Sequence, residues 1–163
     1  TNSNNTGAWC YYNNNVLNDG IYGKHYNWHA VNDTRGLCPI GWHVSSDNEW
    51  SVMVKYLDPN ADTSILGWLN TNAGGALKST SGWNAPNTGA TNSSGFTAIA
   101  GGARRIQTSA GGFDHAQNSG YWWCSTVAGL GEAKHRDIGH TISTIIRGDI
   151  DVRRGHSVRC VRD

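Results

Sequence analysis

Between Leu37 and Leu57 the chain reads LCPIGWHVSSDNEWSVMVKYL. Ser46 can accept an orphan backbone N–H of a first helical turn, and Glu49, three residues on, completes an S-x-x-E capping box. Asp47 and Glu49 place negative charge at the positive end of the helix dipole. Trp50, Met53, Val54 and Leu57 then recur at helical spacing, with Ser51, Lys55 and Asp58 opposite. Pro59 cannot continue a helix and restricts Asp58 before it. The stretch predicts a helix over 47–57, entered from a strand at Trp42–Val44, in which His43 is read as a hydrogen-bonded core residue. The apolar face of that helix must be covered by the rest of the chain.

Nothing else has a signal of that strength. Residues 1–8 read as a disordered or trimmed polar tail, and because Thr1 begins mid-loop an excised domain is expected. Order should start at Trp9, with Tyr11 and Tyr12, as a strand. Tyr22 to Val31 reads as a single helical turn, with Tyr22, Tyr26 and Trp28 inward. A weaker second helical region follows Pro59, with Leu66, Leu69 and Leu77 as its apolar points and glycines interrupting it. From Ser79 to Ala98 the sequence is turn chemistry pinned by Trp83 and Phe96. Ala98–Gly102 reads as a short buried strand and 107–120 as a loop. Tyr121–Val127 is strongly β-prone and is expected at the centre of a sheet. Ser157–Val161 alternates polar and apolar as a closing strand.

A chain of 163 residues with a formal net charge of +1 can bury a real core and carries no global attraction to nucleic acid or to membrane surfaces. No apolar run approaches a membrane span, so membrane insertion by this domain is not expected. With 21 Gly and 8 Trp, the composition fits a loop-rich extracellular domain held by aromatic anchors. The four cysteines, at 10, 38, 124 and 160, contain no C-x-x-C pair, which argues against a zinc knuckle and leaves three pairings open, or four reduced thiols.

Taken in order, the blocks GAWCYYNNN, YGKHYNWHAVND, GLCPIGWHVSSDNEW, GGALKSTSGWN, NSSGFTAIAGG, SGYWWCST and SVRCVRD make the chain resemble the Fibrobacter succinogenes major paralogous domain over almost its full length from Trp9. That family's usual portion before the first block has no counterpart here. The resemblance implies a C-type lectin-like fold: a single α+β domain over 9–163 with two helices, small twisted antiparallel sheets and long loops. It also implies an exported bacterial surface protein, with a phage virion as the alternative location, and no established enzyme activity.

The chain departs from the family in one tract, AKHRDIGHTISTIIRGDIDVRRGH, where the family is rich in Tyr and Asn. Lys134 and His135 stand where Trp and Tyr are usual, and His156 where Phe is usual. Ala133, Arg136, Ser143, Arg147, Gly155 and Ser157 keep the family pattern. Departures confined to one set of positions resemble the variable proteins of diversity-generating retroelements, whose mutagenesis acts at template adenines. Between Asp137 and Arg162 there is no Lys, Glu, Gln, Trp or Met, the residues that changing only the adenines of an Asn codon cannot reach. Lys134 needs another origin. The resemblance thus implies a ligand-binding variable face among His135, Asp137, Gly139, His140, Thr141, Thr144, Ile146, Gly148, Asp149, Ile150, Asp151, Val152, Arg153, Arg154 and His156. Tyr121, Trp122, Trp123, Val158 and Cys160 should lie beneath it. The expected partner is a protein or glycan on a cell or phage surface.

Other chemistry is poorly supported. His25 and His29 have i, i+4 spacing, but the residues between them suit core packing and no third ligand is evident. Asp149 and Asp151 supply too few oxygens for calcium. The Glu-Pro-Asn and Trp-Asn-Asp triplets of sugar-binding C-type lectins are absent, and Trp83-Asn84-Ala85-Pro86-Asn87 echoes them only faintly. The rival to a variable face is a fixed polar carbohydrate or catalytic pocket around 83–95 and 25–43. Cys124 with a nearby His would resemble the formylglycine-generating enzymes of this fold class, but the reactive cysteine pair of those enzymes is missing. No elbow, metalloprotease helix or phosphate loop is present, so neither enzyme activity nor a metal or other cofactor is expected. Of the cysteine pairings, Cys38–Cys160 is expected, tying the helix entrance to the closing strand; Cys10 and Cys124, each beside an aromatic cluster, are left open between a second bridge and free, buried thiols.

Overall fold

The computed structural model describes residues 6–106 and 112–163. In chain order the elements are β1 (Trp9–Tyr11), α1 (Asp19–Tyr22), β2 (Lys24–Tyr26), α2 (Trp28–Val31), β3 (Trp42–Val44), α3 (Asp47–Leu57), β4 (Gly67–Trp68), α4 (Ala73–Leu77), β5 (Gly101–Arg104), β6 (Phe113–Ala116), β7 (Ser119–Gly129), β8 (Glu132–Gly139), β9 (Ile146–Asp151) and β10 (Cys160–Arg162). This is a mixed α+β fold with few helices. A six-stranded sheet in the order β4-β9-β8-β7-β5-β6 is accompanied by two small ladders, β1-β2 and β10-β3. Its pairings are antiparallel except that of β5 with β7, which is parallel.

Helix α3 begins as its sequence dictates. The Ser46 hydroxyl accepts the Glu49 N–H at 3.2 Å, and the Glu49 carboxylate accepts the Ser46 N–H at 2.8 Å. Trp50 and Val54 are buried, and the half-buried Met53 and Leu57 pack against the same core. Trp50 lies 6.0 Å, ring to ring, from Trp122 of β7. Asp47, in the first turn, accepts from Arg136 of β8 at 2.5 Å and from Arg147 of β9 at 2.7 Å. Arg136 is fully buried and also donates to the Asp47 carbonyl and the Ser51 hydroxyl. Burial alone would raise the Asp47 pKa; Arg147 and Arg136 outweigh it and hold the carboxyl below the usual range.

Two further ties fix the loops. Lys78, completely buried, donates to the carbonyls of Thr88, Ile142 and Gly139 at 2.7, 2.8 and 3.3 Å, which joins the 84–92 loop to the β8–β9 connection. Burial lowers its pKa to about 8. Gly74 and Gly75 permit this crowding, since a Cβ on either would fall within 2.4 Å of a backbone carbonyl oxygen of Thr144 or Gly89. The disulfide joins Cys38 to Cys160 across 122 residues. Closing a loop of this size contributes roughly 4–5 kcal/mol on the chain-entropy model.

Several expectations need correction. Residues 1–5 of the expected tail and 107–111 of the expected loop lie outside the described residues. Ala8, though, is held: its N–H donates to the Asn27 side chain and its carbonyl accepts from the Asn27 backbone. The rest of the 107–120 loop contains strand β6. Tyr22–Val31 holds a strand as well as the expected helical turn. The region after Pro59 forms only α4 and the two-residue β4, and Leu66 is exposed. His43 is not a core residue. Its ladder has only β10 beside it, so the ring is half exposed between Asp163 and Glu49, at 2.6 and 2.7 Å. Cys124 is free and buried, whereas Cys10 is free but only half-buried.

Replacing Asp47 with Ala strands the buried Arg136 guanidinium. Urea unfolding should show a loss of about 3–5 kcal/mol; a loss below about 1 kcal/mol would mean that the two arginines find other partners.

Candidate ligand-binding face

Residues paired in an antiparallel ladder point to the same side of the sheet, and alternate residues point to opposite sides. Trp123 pairs with His135, and His135 with Gly148; Tyr121 pairs with Asp137, and Asp137 with Ile146; Ala133 pairs with Ile150. These residues share one side. The other side carries Trp122, Arg136 and Arg147 in register, then Lys134 with Asp149 and Glu132 with Asp151. Helix α3 covers this second side. On the first side Trp28, Val31 and Val44 pack with Trp123 and Ala133, and the Trp28 indole donates to the Cys124 carbonyl at 2.9 Å.

The tract is thereby divided. His135, Asp137, Ile146, Gly148 and Ile150 share the first side. Asp149 and Asp151 lie on the second, Asp149 bonded to Lys134 at 2.6 Å and Asp151 to Arg153 at 2.5 Å. Gly139, His140 and Thr141 lie at the end of β8 and its connection to β9, while Val152, Arg153 and Arg154 turn beyond β9. Of the fifteen candidate face positions, Thr141 and Arg153 are exposed, three are buried and the other ten are partly covered. The buried three are a correction to a wholly outward set. His156 stacks on Trp123 at 4.5 Å and on Tyr121 at 5.2 Å. His135 lies 5.5 Å from His156. The Thr144 hydroxyl accepts the Thr71 N–H at 3.2 Å. Val152 also turns inward, against the Trp123 cluster.

Around the open end of the first side stands a polar group that sequence reasoning read as loop and frame. The Tyr121 hydroxyl meets His115 Nδ1 at 3.2 Å, and His115 Nδ1 lies 3.5 Å from Asp114. Asp114 also bonds Arg105. His135 Nε2 lies 3.7 Å from Asp137. Burial raises the Tyr121 pKa, with Asp137, Asp114 and Arg154 close enough to act on it electrostatically. His115 is held with φ at +60°, a left-handed conformation that an L side chain adopts at a cost. Its only sequence signal was the FDHA run after a glycine pair.

A family model described as the Fibrobacter succinogenes major domain matches residues 1–162. The chain belongs to this family. No curated protein and no solved structure matches it. Within this Fibrobacter succinogenes major domain, the tract positions expected to keep the family pattern make framework contacts. Arg136 and Arg147 hold Asp47. Ala133 is buried, and Ser143 donates to Asn72 at 3.0 Å. Gly155 has room for no Cβ, which would lie 2.8 Å from that of Arg104. Ser157 pairs its backbone with Tyr121 and Trp123.

The other sequence candidates come out as follows. His25 and His29 lie in β2 and α2, so their spacing does not bring them onto one helix. Among the described residues no group of three or more His, Cys, Asp or Glu is placed to hold a metal. Cys124 is sealed in the core, where burial pushes its thiol up to about 12; such a thiol is not a nucleophile at neutral pH. Trp83 is buried, its indole donating to Ala98. Thr88 and His25, from the two stretches of the expected polar pocket, line separate recesses. Among the described residues no helix is long and apolar enough to cross a membrane.

Both ring nitrogens of His156 lack a partner, and burial, with His135, Arg154 and His25 adding to it, lowers its pKa far below the ordinary value. Burial also lowers His25. The unfolded chain protonates these rings near pH 6.5 and the folded chain only at lower pH. The stability they allow is therefore complete above about pH 6.5 and falls as pH drops below it. His43, raised by Asp163 and Glu49, acts in the opposite direction but in the open, where ion pairs contribute little. Melting curves at pH 7.5 and 5.5 should show His156→Phe flattening the acid loss and adding about 1–3 kcal/mol; an unchanged acid loss would clear His156.

Gly148 and His135 are packed as a pair, since a Cβ at 148 would fall 2.5 Å from the imidazole. Gly148→Ala should cost about 1–3 kcal/mol. His135→Ala should remove most of that penalty, a coupling that a double-mutant cycle measures.

Proposed function

We propose that the domain is an exported ligand-binding module of C-type lectin-like fold that presents a diversified recognition face, in the manner of retroelement variable proteins. The observation that carries this reading is the sorting of the tract. Pattern-keeping Arg136 and Arg147 hold helix α3, while the departing His135, Asp137, Ile146 and Gly148 point to the opposite side; the departing Asp149 and Asp151 share the arginines' side, paired with Lys134 and Arg153. Binding rather than catalysis is supported by a buried Cys124 and by a face that mixes imidazole, carboxylate, guanidinium and aliphatic groups. Such a face, on a scaffold tied by a disulfide, loses little ordering entropy when a partner docks. The partner class is a protein or glycan displayed on a cell or phage surface.

A carbohydrate-binding reading has one observation in its favour. Trp68, half exposed, lines a shallow cleft with Asn70, Asn72 and Thr141, a combination of aromatic plane and amides suited to a sugar.

Sequencing the codons for 134–156 across many individuals of one population tests the main reading. Substitutions should concentrate at Asp137, Gly139, His140, Thr141, Ile146, Arg153 and Arg154 and spare Arg136 and Arg147. A reverse transcriptase gene and a near-repeat of this segment should lie nearby. A uniform tract in a locus without them would defeat the proposal. Replacing His140, Thr141, Arg153 and Arg154 together with Ser or Asn should move stability by no more than about 0.5 kcal/mol per site, read from thermal melts.

A further inference from the structure

A recess lies where the β1-β2 ladder meets β5 and the turn after β9. Cys10, His25, Asn27, Arg104, Arg153 and Gly155 line it, with Ala8 and Trp9. Cys10 and His25 are ladder partners, so they face the same way. His25 is buried, and its Nε2 faces the carbonyl oxygens of Gly101 and Gly102 at 3.0 and 3.2 Å. Two acceptors oblige Nε2 to carry the proton, which leaves Nδ1 a bare lone pair, and that atom has no partner. The ring therefore calls for a donor. Asn27 does not supply it: its amide nitrogen donates to the Thr6 carbonyl and its oxygen accepts from Ala8 and Ala30.

The remaining polar groups are cationic. The Arg104 guanidinium has no carboxylate partner among the described residues and only the Phe113 ring beneath it, at 5.8 Å. Arg153 bonds Asp151 through Nε and Nη2, which leaves Nη1 unengaged. Among the described residues no carboxylate lines the recess. Gly155 keeps it open, since a side chain there would run into the Cβ atoms of Arg104 and His25 at 2.8 and 3.3 Å. Two guanidinium groups complement a carboxylate geometrically and electrostatically, and a bare imidazole nitrogen complements a hydroxyl.

We propose that this recess binds a hydroxylated carboxylate, with a uronic acid as the representative ligand, whose carboxylate meets Arg104 and Arg153 and whose hydroxyl donates towards His25. Trp9, His25 and Arg104 lie outside the departing tract and Arg153 alone belongs to both sites, so Arg104→Gln tests this recess without altering the proposed variable face.

Cys10 supplies the readout. It lines the recess as a half-buried free thiol, whereas Cys124 is sealed in the core and Cys38 and Cys160 are bonded to each other. Alkylation by the neutral reagent iodoacetamide, followed by mass spectrometry, should be slowed several-fold by sodium glucuronate and by methyl glucuronoside. Glucose, acetate and sulfate should have little effect. Arg104→Gln, checked for an unchanged melting temperature, should weaken protection about tenfold or more. Protection by methyl glucuronoside as well as glucuronate would point to a chain-linked sugar, and protection by glucuronate alone to a free acid. Equal protection by acetate or sulfate would reduce the site to a bare anion contact, and protection by glucose would remove the role of the charge; either overturns the proposal, as does no protection by any uronate. Should Arg104→Gln not fold, the comparison of these five solutes on the native protein decides alone.

Discussion

The carboxylate of Asp47 receives two guanidinium groups from adjacent strands of the central sheet, and the rest of the fold is arranged around that contact. Arg136 is buried so deeply that it needs an anion, and removing its charge partner is far more costly than never having buried it. The capping box fixes Asp47 in the first turn of α3. The contact thus transmits the helix's position to β8 and β9 directly, without intervening loops. Apolar packing then completes what the ion pair locates, with Trp50 against Trp122 and Val54 beneath them.

The two sides of the sheet are consequently unlike. The side under α3 has its charges matched and its rings packed. Unused hydrogen-bonding capacity lies on both: Nε1 of Trp50 and Nε of Arg136 on the α3 side, and both nitrogens of His156 with Nδ1 of His135 and of His25 on the other. Polar groups left unsatisfied in a protein interior call for an explanation, in strain, in function or in a missing partner. The imidazoles among them cluster against Tyr121 and Trp123 and beside the recess between Arg104 and Arg153.

What could be read from sequence was local or strongly patterned. The capping box specified α3 to the residue, because every one of its signals lies within a few positions. The β-prone run at Tyr121–Val127 marked a central strand, since only a strand flanked on both sides is apolar on both faces. What could not be read depended on long-range pairing. His43 looks like core beside Trp42 and Val44, yet its exposure is decided by β10, more than a hundred residues on. Strands β8 and β9 carry no clean alternation of polar and apolar residues, because they are lined on one side by salt-bridged charges, which mimic a solvated face while being largely covered. His115 was missed because nothing in FDHA distinguishes a strand whose backbone turns left-handed from an ordinary loop. Gly148 looked like one more variable position, and only the fold reveals that it makes room for His135.

The strict alternation of β8 and β9 has a further consequence, for length rather than identity. A residue inserted into either strand would rotate every following side chain to the other face. Arg136 or Arg147 would then swing away from Asp47, and a neighbour such as Asp137 or Ile146 would be driven under the helix. Exchange of one side chain for another leaves this alternation intact, so the strands are open to substitution and closed to insertion or deletion. Variation in length has room only where no ladder counts residues, in the bends after Gly139 and after Asp151.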